Sequence, residues 1–136
     1  METERIDPAL LAQLVGLRAA AYAPYSDHPV AAVVETDSGQ RFGGTNVEVA
    51  HFKSVCAEAS ALSALIAAGQ RSIKRVYVLG PTAQPCPPCG DCRQRLREFA
   101  TDELEILAVD ESGEIRLRRT LAQLLPDAFG PDNIPG

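Results

Sequence analysis

The chain has 136 residues, 46% of them hydrophobic and 23% charged, enough to bury one core and too few for two, so residues 1–136 are read as a single domain. Eighteen acidic against thirteen basic residues leave a net charge of −5, which repels a polyphosphate backbone and argues against nucleic acid as a partner. The apolar runs stop short of the about 18 residues a membrane span needs, the four cysteines are too few for a disulfide scaffold, and METERIDPAL lacks the apolar centre of a secretory signal, so the expectation is a cytoplasmic protein acting on a small molecule.

Apolar residues at Leu10, Leu11, Leu14, Leu17 and Ala21 recur at helical spacing and predict an amphipathic helix from Asp7 to about Ala21, ended by the prolines of YAPYSDHP. VAAVVET and QRFGGTNVEV, separated by DSG, predict a β-hairpin. The stretch from Val55 to Gly69 is almost free of polar residues and predicts a helix buried on most sides. RVYVLG follows as a central strand. The double proline of CPPCGDCRQRLREF delays the next helix to Cys89, from where it runs to about Phe99. LEILAV and EIRLRR are two further strands, and LAQLLPDAF a short helical end. This alternation predicts an α/β fold, a three-layer α/β/α sandwich around a mixed five-stranded sheet. The basic clusters RSIKR, CRQRLRE and RLRRT are read as solvated faces or subunit contacts.

Three of the four cysteines lie in CPPCGDC. Cys89 and Cys92, three apart on a helix, present their thiols from one face and suit Zn²⁺, which takes thiolates in a tetrahedral array. Cys56 opens another predicted helix, where unpaired N–H groups favour a thiolate. Three thiolates leave a fourth position open, the pattern of a catalytic site holding one Zn²⁺ per chain. Glu58, two residues after Cys56, then stands beside the metal without ligating it and can pass a proton from water to a leaving group. Cys86 has two readings: a small half-buried residue beside the prolines, or a fourth thiolate that closes the site and makes the zinc structural in a non-catalytic protein.

CAE followed, 33 residues after its cysteine, by PCGDCRQ resembles the cytidine deaminase family, whose signature pairs a metal ligand and a glutamate two residues on with P-C-x-x-C. AYAPYSDHPV, NVE and LLPDAFGPDNI resemble further stretches of its small homotetrameric, three-cysteine members. The resemblance implies zinc on Cys56, Cys89 and Cys92, Glu58 as acid and base, and hydrolytic deamination of cytidine and deoxycytidine in nucleoside salvage. It also implies Asn46 and Glu48 on the ribose hydroxyls, backbone near Ala57 on the base, and Phe129 reaching a neighbouring subunit's site in a homotetramer.

Four positions depart from the family pattern. His28 stands where phenylalanine is usual against the pyrimidine, and a histidine there can donate or accept a hydrogen bond. Ala59 replaces the usual arginine after CAE, so charge-assisted bonds to the sulfurs must come from elsewhere, Arg93 being a candidate. The segment NVEVAHFKSVC is one residue short, and Val49 stands where asparagine is common. Blasticidin S deaminase, a relative, is also short here, so an aminohydrolase of a modified cytosine nucleoside or a blasticidin S-like compound is the alternative reading. His51 and Lys53 in the altered loop are candidates to line such a pocket, or plain surface.

Overall fold

The computed structural model describes residues 4–135. Helix α1 spans Pro8–Ala20; Asp7 caps it by accepting from the Leu10 N–H, and Pro8 sits in the first turn, where its missing N–H costs nothing. Strands β1 (Ala31–Glu35) and β2 (Arg41–Thr45) form the expected antiparallel hairpin. Helix α2 (Ala57–Ala67), strand β3 (Arg75–Leu79), helix α3 (Gly90–Glu98), strands β4 (Glu105–Val109) and β5 (Ile115–Thr120) and the one-turn helix α4 (Leu121–Leu124) follow. A 3₁₀ turn at Pro131–Asn133, which the sequence pattern does not announce, follows α4.

The sheet is ordered β2-β1-β3-β4-β5, and only β3 and β4 run parallel. One face (Ala31, Val33, Tyr77, Leu79, Leu107 and Val109) packs on Leu10 and Leu14 of α1. The other (Ala32, Val34, Val76, Val78 and Ile106) packs on Ala57, Ala61, Leu62 and Leu65 of α2, with Leu96 and Leu121 beside them. Cover on both faces explains why the central strands are apolar on both sides along Ala31–Val34, Val76–Leu79 and Ile106–Val109 instead of alternating, with charge only at one end of each. Gly44 sets how close α2 comes: a Cβ there would lie 2.3 Å from the Ala61 nitrogen and 2.6 Å from the Ala57 oxygen. Glycine thus fixes the height of the N-terminus of α2 over the sheet.

Two expectations need correction. The second strand stops at Thr45, and NVEV leaves the sheet, held by single bridges from Val47 to Val55 and to Tyr22. Helix α2 is buried on one side only, because α3 covers just part of it and leaves Ser63 and Ala67 exposed. Among the described residues no helix is long and apolar enough to cross a membrane.

Candidate active site

Cys56 and Cys89 are the N-cap residues of α2 and α3, and Cys92 lies in the first turn of α3. Neither N-cap side chain bonds its helix, so the first amides of both helices stay without side-chain caps around the sulfurs. The three sulfurs lie within 4.8 Å of one another, and the Cys56 and Cys89 Sγ atoms are 3.9 Å apart. Tetrahedral thiolates at zinc's usual bond length stand about 3.8 Å apart, so this donor set fits Zn²⁺. All four cysteines are free thiols.

Electrostatically the cluster is incomplete. Burial pushes the Cys92 thiol well up, and the charges of Glu58, Cys56 and Cys89 push it further. Burial likewise raises Cys56, a bond to Cys92 only partly opposing it. A bound cation would remove that cost and favour three thiolates. The Arg93 guanidinium donates to the carbonyls of Pro88 (2.8 Å) and Leu124 (2.9 Å), which engages two of its five N–H groups. Glu58, in the first turn of α2, is only 4% exposed. Burial holds its carboxyl above the usual range, offset in part by its own N–H and by the Cys92 thiol.

A cavity of about 390 Å³ opens beside the cluster. Cys56, Cys89, Glu58 and Ala57 form one group in its wall, and Ser26, His28, Asn46 and Glu48 a second, polar one. Among the described residues no lysine or arginine lines it. Asn46 donates to the His28 carbonyl (2.9 Å) and accepts the Val30 N–H (2.9 Å). Glu48 accepts the N–H groups of Tyr25 and Ser26, both at 3.0 Å, and the Ser26 hydroxyl. The Ser26 hydroxyl leads in keeping the Glu48 carboxyl below its usual range.

Cys86 stands apart from the three clustered sulfurs. Its Sγ lies 3.8 Å from His28 Nε2, and its Cβ packs where a Cβ on Gly80 would come within 2.7 Å. The four-sulfur structural site therefore finds no support in the geometry. Phe129 is 60% exposed and is not among the residues lining this cavity; Gln94 holds its carbonyl at 2.7 Å. His51 and Lys53 are exposed and also lie outside the lining. Sequence reasoning missed Ser26, Val30 and Pro87 as wall residues. Pro87 was readable from its place between two cysteines; Ser26 and Val30 carry no local signal, since only folding brings them to the thiols.

The chain matches the family model of the cytidine and deoxycytidylate deaminase zinc-binding region over residues 5–108. It is similar to a cytidine deaminase of Sporosarcina psychrophila, 35% identical over 126 residues covering 92% of each chain. One from Mycobacterium tuberculosis is 38% identical over 118 residues, 86% of this chain and 84% of that protein. Its fold is similar to the crystal structure of cytidine deaminase from Burkholderia pseudomallei, with a TM-score of 0.81, 38% identity and coverage of 91% of this chain and 99% of that one.

Proposed function

We infer that this chain, which belongs to the cytidine and deoxycytidylate deaminase family, is a zinc-dependent hydrolase that converts a free cytosine nucleoside to the corresponding uracil nucleoside and ammonia. The observation carrying this reading is a buried carboxyl, Glu58, beside three clustered thiols, with no lysine or arginine among the described residues of the cavity wall. Cys56, Cys89 and Cys92 would hold the zinc, which supplies Lewis-acid activation of water. Glu58 would take the two protons of the attacking water in turn and deliver one to the ring nitrogen N3 and one to the exocyclic nitrogen, so that a C–O bond forms, the C–N bond breaks, the water oxygen becomes the ring carbonyl and ammonia leaves. The backbone near Ala57 contacts the base, and Asn46 and Glu48 belong to the part of the wall that meets the sugar.

The family description spans nucleosides and a nucleotide, and the wall favours the former. Glu48 and Glu58 line the cavity without a lysine or arginine, an environment that repels a phosphate dianion. We assign the chain to cytoplasmic nucleoside salvage as a homotetramer. The uncovered Ser63 and Ala67 of α2, and Phe129 exposed outside its own cavity, support contact with further copies.

The test is ammonia release by purified zinc-loaded protein from cytidine, deoxycytidine, deoxycytidine monophosphate and blasticidin S. The expected result is turnover of the two nucleosides, reduced by about three orders of magnitude or more in Glu58→Gln. A Glu58→Gln variant that keeps its zinc and its rate would sink the assignment. Blasticidin S as the preferred substrate would establish the alternative that His28 and the short loop motivate.

A further inference from the structure

Exposed histidines on loops are seldom fastened by much beyond their own backbone. His28 is held on three sides: its N–H donates to Ser26 Oγ (3.1 Å), its carbonyl accepts from Asn46 Nδ2 (2.9 Å), and its Nε2 lies 3.8 Å from Cys86 Sγ. Asn46 also anchors Val30 at 2.9 Å, two residues on, and Glu48 anchors Tyr25 and Ser26 before it, each at 3.0 Å. Asp27, between the two anchors, has φ +54°, a left-handed conformation that a non-glycine residue keeps only when its surroundings dictate it. The segment from Tyr25 to Val30 is therefore built to present His28.

Presenting it engages part of the hydrogen-bonding capacity of side chains that the family resemblance gives to the sugar. A carboxylate offers about four acceptor positions, and on Glu48 the Tyr25 and Ser26 amides and the Ser26 hydroxyl occupy three of them. Asn46 spends one N–H and one lone pair on the same segment. Cys86 fixes the ring in turn. Its Sγ lies 3.8 Å from Nε2, which leaves Nδ1 as the ring nitrogen without a partner among the described residues.

We propose that His28 is a specificity-determining residue whose imidazole hydrogen-bonds the 2′- or 3′-hydroxyl of the nucleoside sugar, with Cys86, Asn46 and Ser26 as its positioning residues. This rests on the deaminase reading. The sugar is the target because the residues bonded to the His28 segment, Ser26, Asn46 and Glu48, are the polar group of the wall, whereas the reacting amine belongs beside Glu58 and the thiols. A phenylalanine ring offers only its face, whereas His28 adds a hydrogen-bonding group that a 2′- or 3′-hydroxyl satisfies and a 2′,3′-dideoxy sugar does not.

The experiment measures kcat and KM of the zinc-loaded wild type, His28→Phe, His28→Gln and Cys86→Ala on cytidine and dideoxycytidine, with zinc content and melting temperature recorded for each. In His28→Phe the cytidine KM rises about tenfold while dideoxycytidine stays within about twofold, so the preference for the hydroxylated sugar shrinks about tenfold, the worth of one hydrogen bond. His28→Gln, which keeps an N–H donor, restores part of that preference, and Cys86→Ala lowers it about threefold in the same direction. Equal losses on both nucleosides, or an unchanged preference in His28→Phe, overturn the proposal. Failure of the wild type to release ammonia from either nucleoside overturns the deaminase reading beneath it.

Discussion

The two edges of the five-stranded sheet at which its strands begin and end, as distinct from its outermost strands β2 and β5, both gather ionisable groups and treat them in opposite ways. At one edge the strand register aligns Arg41, Glu35, Arg75 and Glu105 in a row of alternating charge. Asp7 extends the row beyond Arg41, at 2.8 Å, and Arg118 and Glu4 extend it beyond Glu105. Glu35, 5% exposed, is bonded by Arg41 at 2.8 Å and Arg75 at 3.2 Å, so every buried charge there has its counter-charge within the chain. At the opposite edge, where Thr45, Ala31, Leu79 and Val109 align, the next residues along lead into the cavity with its thiols, Glu58 and Glu48, and no lysine or arginine lines it. A cluster neutralised in cis holds a fold together, whereas one left unneutralised is completed by an ion or a substrate.

Removing one thiol should break the contrast most visibly. Cys89→Ser leaves an exposed position that tolerates serine but withdraws a soft ligand from the triad. We expect zinc content to fall well below one per chain and deaminase activity to drop about a thousandfold, equivalent to about 4 kcal/mol of transition-state stabilisation. Far-ultraviolet circular dichroism should remain that of the wild type, because the core and the charge row are untouched. A Cys89→Ser protein retaining a full zinc complement and its rate would mean that the unneutralised edge is no metal site.

The two edges also differ in how much of each was legible in the sequence. The triad and Glu58 follow from local rules, since a helical spacing of three, a helix start and a proline stop can all be read within short windows. The charge row cannot be read that way. Arg41, Glu35, Arg75 and Glu105 meet only after three strand pairs choose their register, which is why the basic clusters containing Arg75 and Arg118 read from sequence alone as solvated faces or subunit contacts. The same limit hid the meeting of His28 with Cys86, 58 positions apart. His28 drew notice as a departure from a family pattern, and nothing near it in sequence names its partner. The three layers were legible because the order of helices and strands along the chain leaves a mixed sheet to be covered by helices on both faces. The exposed side of α2 was not, because apolar composition gives the need for burial without naming the element that meets it.

A smaller effect is expected at the neutralised edge. Glu35→Ala removes a buried carboxylate and leaves two arginines without their shared partner. Loss of one member of a fully buried pair costs about 3–5 kcal/mol, but the Arg41 and Arg75 side chains are 30% and 37% exposed and can turn to water. The expected loss is therefore about 2 kcal/mol in urea unfolding, with kcat and KM unchanged per folded molecule. If Glu35→Ala lowered activity without lowering stability, the row would belong to the function and the distinction between the edges would fail.

The smallest expected effect is the acid response of the row. Hydrogen bonds from Arg41 and from the Leu10 N–H hold the Asp7 carboxyl below its ordinary 3.8. Burial pushes Glu105 up, but bonds from Arg75 and Arg118 outweigh it and hold the carboxyl below its ordinary 4.5. A carboxyl with a depressed folded-state pKa binds fewer protons in the folded than in the unfolded chain. Its stabilisation is thus complete above the ordinary value and is lost as pH falls through the folded value. Side-chain exposure of 45% for Asp7 and 30% for Glu105 lets solvent screen both, so the pair should account for about 1 kcal/mol at most. Unfolding of Cys89→Ser between about pH 7 and about pH 3, with and without Glu105→Gln, isolates this term, because neither protein then has zinc to lose on acidification. The stability gap between the two should close as the pH falls, and close further in high salt. A gap constant across that range would show that the Glu105 carboxylate contributes nothing as a charge, leaving packing and neutral hydrogen bonds to hold that edge.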